Sequence, residues 1–191
     1  DAVMHGLRAA TGFYFKVVDS DDWVDEAALK RVLDALRTLR DKGVDLVVAN
    51  YVYEKEGVAH KHVVRYGNAL PQERILTWEE VGSFRVGQYM LMHSLIYRRQ
   101  LLLDSGLELP KKTFYVDNLY AYQPLPLVKT LYYIDADLYR YYIGRSDQSV
   151  NESIMISRID QQIRVNKLMM QVYATAEIPT RRERRYMLKH L

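Results

Sequence analysis

The sequence predicts an α/β fold, a partial mixed sheet with flanking helices to about residue 150 and a helical extension over residues 151–191. Three observations predict it. The apolar run Phe13 to Val18 stops at Asp19-Ser20-Asp21-Asp22-Trp23, a polar step from strand to helix. Leu46-Val47-Val48-Ala49 is apolar without interruption, as a strand covered on both faces must be. From Glu152 the apolar residues recur at helical spacing.

The elements follow in order. Asp25 and Glu26 suit the positive end of a helix, and Leu29, Val32, Leu33, Leu36 and Leu39 form its apolar stripe, with Gly43 as the stop. Asp45 to Tyr53 reads as a strand, and Lys55-Glu56-Gly57 as a hairpin turn into a returning strand near His60 to Tyr66. Pro71 closes that excursion, and Thr77-Trp78-Glu79-Glu80 has capping-box spacing for a short helix. Met90 to Tyr97 fits either strand or helix. Arg98 to Asp104 reads as a helix stopped by Gly106. Asp117 falls in the first turn of a helix that Pro124 and Pro126 end. Thr130 to Tyr142 is rich in Tyr, Leu and Ile and reads as one or two strands. In the extension, Ile156, Ile159, Ile163 and the Leu168-Met169 pair share one side, and Thr180 to Glu183 starts a last helix after Pro179.

Composition narrows the function classes. The chain has 191 residues, enough for one domain with a sizeable core. A net charge of +3 is too small to indicate nucleic acid as a partner. The absence of cysteine excludes disulfides, zinc-thiolate sites and thiol nucleophiles, and fits a cytoplasmic protein. No apolar run reaches the roughly 20 residues that cross a bilayer.

The Asp-rich step is the chemical signal. At the carboxyl end of a strand, where open α/β sheets bind ligands, an extended chain would turn Asp19 and Asp21 to one side. Two such carboxylates suit Mg²⁺ or Mn²⁺. The same residue types also cap helices, so the tetrapeptide alone leaves a structural reading open.

Its surroundings resemble a known family. Gly6-Leu7-Arg8-Ala9-Ala10-Thr11-Gly12-Phe13-Tyr14, the apolar run and Asp19 to Trp23 resemble the central signature of family 2 glycosyltransferases, which have the GT-A (Rossmann-like) fold. A second block, Leu95 to Arg99, Ser105-Gly106-Leu107 and Phe114 to Tyr120, is similar to the part in which an acidic pair opens a helix under the acceptor site. Val116 replaces the first acid, leaving Asp117. Leu138 to Tyr142 with Gly144 to Val150 resembles the tyrosine-rich strand and polar loop that follow.

The resemblance implies a transfer of sugar from a nucleotide-diphosphate donor, a UDP-sugar first, to a glycan or lipid-linked acceptor with inversion. It also implies a role in bacterial cell-surface polysaccharide synthesis. Asp21 is expected to ligate the metal, Asp19 to contact metal or ribose, Asp117 to act as base, and Arg145 to reach the diphosphate. Trp23 walls the sugar site or anchors the next helix in the core. Only eighteen residues precede Asp19, so the chain is expected to lack the front of the nucleotide-binding half.

Other readings remain beside this one. A haloacid-dehalogenase-type phosphatase wants a small Thr or Val where Trp23 stands, and a calcium loop wants Gly where Val24 stands. A non-catalytic interaction module stays open, as does a homo-oligomer. The basic helix from Arg181 to Lys189, with Tyr186, Met187, Leu188 and Leu191, is a candidate for peripheral contact with the inner face of a membrane. His60 and His62 share a strand face at metal-ligand spacing but read as an exposed edge.

Overall fold

The computed structural model describes residues 2–55, 57–144 and 152–191. Its centre is a mixed seven-stranded sheet. In chain order the strands are β1 (Tyr14–Phe15), β2 (Trp23–Val24), β3 (Leu46–Lys55), β4 (His62–Val64), β5 (Ile75–Leu76), β6 (Leu95–Arg98) and β7 (Leu131–Ile143). The main path runs β1-β6-β3-β7-β2, with β4 on β3 and β5 on β7. β3 and β7 are parallel, and the other pairs are antiparallel.

The uninterrupted apolar run of β3 is explained by its position. Leu46 and Val48 point into one core with Leu95, Tyr97, Leu131 and Tyr133, while Val47 and Ala49 point into another with Ile96, Ile134 and Leu138. Helix α2 (Glu26–Arg40) covers the second core through Ala28, Val32 and Leu39. Asp25, expected only to complement the positive end of this helix, is its N-cap, its side chain accepting from the Ala28 N–H at 3.0 Å. Leu33 of the expected stripe is solvent-exposed.

The first core is covered by α1 (Ala2–Ala9), α3 (Arg99–Asp104), α4 (Val116–Tyr122), α6 (Ile159–Thr175) and α7 (Arg181–His190). Val165, Met169, Ile178, Tyr186 and Met187 of the helical extension belong to this core. The extension's stripe is otherwise differently placed from expectation. Ile156 on α5 (Glu152–Ser157) and Ile159 and Ile163 on α6 are exposed, with no element covering them among the described residues. Periodicity identifies an apolar face but not its cover.

Two polar knots fix β3 against β7. Asp45 is buried, and its Oδ1 accepts from the Arg98 guanidinium at 2.8 and 3.1 Å while its Oδ2 takes the backbone N–H groups of Lys129 and Thr130. At a register shift around Asn50, the Asn50 amide donates to Asp135 and Asp137 at 2.6 and 2.8 Å, and Arg65 spans the same two carboxylates. The register shift brings the far end of β7, from Asp137 to Ile143, into step beside β3.

The ambiguous stretch from Met90 to Tyr97 splits into a 3₁₀ turn, Met92–Ser94, and the start of β6. The capping box at Thr77 opens a 3₁₀ turn, Trp78–Glu80. Among the described residues no helix is long and apolar enough to cross a membrane. Of the apolar residues in the peripheral-membrane reading, Tyr186 and Met187 are buried in the core, while Leu188 and Leu191 are exposed.

Candidate functional site

The Asp-rich segment is a turn rather than the extended chain expected. The Asp22 N–H donates to the Asp19 carbonyl at 3.1 Å, so alternation does not set where its carboxylates point. Long-range partners on β7 set the geometry. The Tyr139 hydroxyl donates to Asp22 Oδ2 at 2.6 Å and accepts from the Asp19 N–H at 3.2 Å. The Tyr142 N–H donates to Asp22 Oδ1 at 2.8 Å. β2 then pairs with β7, and Arg140 reaches Asp25 at 2.9 Å. Asp22 therefore buttresses the turn with both oxygens engaged.

Asp19 opens into a cleft of about 470 Å³. Asp117, on the first turn of α4, lines the same cleft. Tyr115, just before α4, adopts a left-handed backbone with φ 66°. For an aromatic residue this is an outlier costing about 1–3 kcal/mol, the kind of strain that collects at functional sites. Tyr53, His93 and Tyr141 line the cleft from the sheet side, and Met155 and Gln162 from the helical extension.

The electrostatics are those of crowded carboxylates. Burial, followed by Asp22, Asp117 and Asp21, pushes the Asp19 carboxyl up to about 6, with Lys16 opposing. Burial also raises Asp117, against the backbone N–H groups of Asp117 and Asn118 at the start of α4. Lys16 donates to the His93 carbonyl at 2.7 Å and sits 4.9 Å from the Tyr139 ring centre. Desolvation lowers its ammonium to about 7 despite Asp19. His93 stacks on Tyr139 with ring centres 4.8 Å apart, and burial lowers it to about 3, so it stays neutral.

The other expected site residues are placed as follows. Asp21 lies in the turn beside Asp19 and adds to its negative surroundings, but is not among the cleft-lining residues. Trp23 is 47% exposed, 6.4 Å from the Tyr142 ring, and lines neither the cleft nor the core, which overturns the core-anchor reading. Arg145 lies outside the described residues. His62 stacks on Tyr53 at the exposed β4 edge. Reasoning from sequence missed Lys16, His93 and Tyr139. A lysine inside the apolar run Phe13 to Val18 was the available signal for the first.

Among the described residues no three His, Asp or Glu side chains are grouped to hold a metal. The donor set nevertheless fits a hard divalent ion that brings most of its own ligands. Asp19 and Asp21 offer carboxylate oxygen, and a cation would offset the burial and the neighbouring carboxylates that raise Asp19.

The sequence profile described as Glycosyl transferase family 2 matches residues 1–100, just over half of the chain and including the Asp19 turn. The chain belongs to glycosyl transferase family 2. Among solved structures it is similar to residues 1–349 of S. aureus TarS, with 15% identity, a TM-score of 0.64, and coverage of 97% of this chain and 48% of that one. A longer S. aureus TarS structure gives 14% identity and a TM-score of 0.62, covering 97% of this chain and 30% of that one. At such identity the likeness speaks for the fold, and it agrees with the expected partial GT-A sheet. This family 2 chain spans less than half the length of either neighbour. No curated protein sequence matches it. Asp117 falls outside the matched stretch, so its candidacy rests on the cleft.

Proposed function

We propose that this chain carries the diacid turn and acceptor side of an inverting glycosyltransferase that uses a nucleotide-diphosphate sugar, with a UDP-sugar as the first donor to test. The observation that carries the reading is the meeting of Asp19 and Asp117, 98 positions apart in sequence, in one cleft.

The acceptor hydroxyl oxygen attacks the anomeric carbon while the bond from that carbon to the diphosphate oxygen breaks. Asp117 takes the hydroxyl proton, and its raised affinity for protons brings it nearer to the working pH of a general base. Negative charge grows on the departing nucleoside diphosphate. Asp19 and Asp21 would hold Mn²⁺ or Mg²⁺, which when bound stabilises that charge electrostatically. Tyr139 and Tyr142 keep the turn in place through Asp22. Trp23, exposed beside the turn, is available to a sugar face. A single displacement inverts the anomeric centre. The acceptor is a glycan or lipid-linked hydroxyl, and the biological setting is cell-surface polysaccharide synthesis, both from family resemblance.

An interaction module is the second reading, favoured by the exposed Met155, Ile156, Ile159 and Ile163. Calorimetric titration of UDP with and without Mn²⁺, on the unaltered chain and on Asp21→Ala, tests the first reading. Metal-dependent binding that the substitution abolishes supports it. Failure to bind, both here and in the full-length protein, would refute a UDP donor.

A further inference from the structure

A second concavity, of about 480 Å³, lies between the segment 81–86 and α7 and shares no lining residue with the Asp19–Asp117 cleft. Arg182, Arg185 and Lys189 line it, with Phe84 and Val86, and no carboxylate is among its lining residues. We infer that this groove binds a phosphorylated sugar, the three cations taking the phosphate and Phe84 and Val86 the saccharide.

The charge arrangement is costly unless it serves a ligand. Arg181, Arg182, Arg184 and Arg185 occupy four of the first five positions of α7, where the helix dipole disfavours cations. Glu183, the one acid in that turn, is 1% exposed and turned to the core, and its carboxylate oxygens have no hydrogen-bond partner. It accepts no hydrogen bond from the arginines around it, and the charge acting on it is that of Arg184, which does not line the groove, so the groove side keeps its positive excess.

Two of the cations are held in place by backbone. Arg182 donates to the Val81 carbonyl at 2.7 Å, and Lys189 donates to the carbonyls of Phe84 and Arg85. Each keeps further donors, since a guanidinium carries five N–H groups and an ammonium three. Arg185 makes no hydrogen bond or ion pair among the described residues, which leaves its planar fork for bidentate phosphate contact. The volume exceeds the need of a lone phosphate and falls within the range of small-molecule sites, about 300–1,000 Å³. The half-buried ring of Phe84 and the fully exposed Val86 supply the apolar surface that a sugar face requires.

Calorimetric titration of glucose 1-phosphate, glucose and inorganic phosphate into the protein tests the inference. Glucose 1-phosphate should bind, more tightly than either other probe, and more weakly as salt rises. Arg185→Glu, which breaks no internal bond, should weaken binding about tenfold or more with an unchanged circular dichroism spectrum. Asp117→Asn should leave it unaltered, which separates this groove from the cleft. No binding at millimolar concentration, equal binding by glucose, or full affinity in Arg185→Glu would overturn the site. Inorganic phosphate binding as tightly as glucose 1-phosphate would overturn the saccharide part.

Discussion

Replacing Tyr139 by Phe removes one oxygen and leaves the ring stacked on His93, so it isolates the hydroxyl that joins the Asp19 turn to β7. That hydroxyl makes a short bond to the Asp22 carboxylate, of the charged class that contributes about 1.5–3 kcal/mol, and accepts a second, neutral bond contributing about 1 kcal/mol. The summed loss is about 3 kcal/mol. For a chain of this length it corresponds to a fall in Tm of about 6–12 °C, measured by circular dichroism. The ligand-free turn should also loosen. UDP with Mn²⁺ would then have to order it on binding, and about 1.4 kcal/mol of that ordering appears as a tenfold weaker Kd by calorimetry. A Tm within about 2 °C of the unaltered protein, with unchanged affinity, would refute the claim that Tyr139 holds the site.

Asp117→Asn should lower the transfer rate from a UDP-sugar about 10²–10⁴-fold and leave UDP affinity as it was; lost UDP binding would instead assign Asp117 a structural role. Asp45→Ala strands the Arg98 guanidinium and the Lys129 and Thr130 amides, and should cost about 3–5 kcal/mol in urea unfolding. Burial raises Glu183 to about 7, so below its unfolded value of 4.5 the carboxyl is protonated in both states and carries no penalty. Between these values only the unfolded chain ionises, and stability should fall with rising pH by about 1.4 kcal/mol per unit, a slope that Glu183→Gln should remove from urea midpoints taken at several pH values.

The sequence was most legible where the cause of structure is local. The α2 stripe, its acidic start at Asp25, the Thr77 and Thr180 caps and the two-faced run of β3 all depend on neighbours within a few residues or on simple periodicity. Asp19 and Asp117, singled out in the sequence, share a cleft, but the geometry that brings them there was not legible. Nothing near Asp19 announces that Tyr139 and Tyr142 will bend the segment into a turn. The exposed Ile156, Ile159 and Ile163 fail for the complementary reason, because a helical stripe shows that a face is apolar and not whether something packs on it. Trp23 was read as either wall or anchor, and its place on the short edge strand β2 decided against the anchor.

The attachment of the Asp19 turn to β7 has a consequence for the order of folding. Asp19 and the hydroxyl that fixes it are 120 positions apart, and the parallel pairing of β3 with β7 must close a long loop before either bond can form. During synthesis the carboxylates therefore leave the ribosome well before the strand that orients them. A nascent chain ending before β7 would hold the acidic signature without a binding site, so metal-dependent nucleotide binding would report the arrival of the last strand.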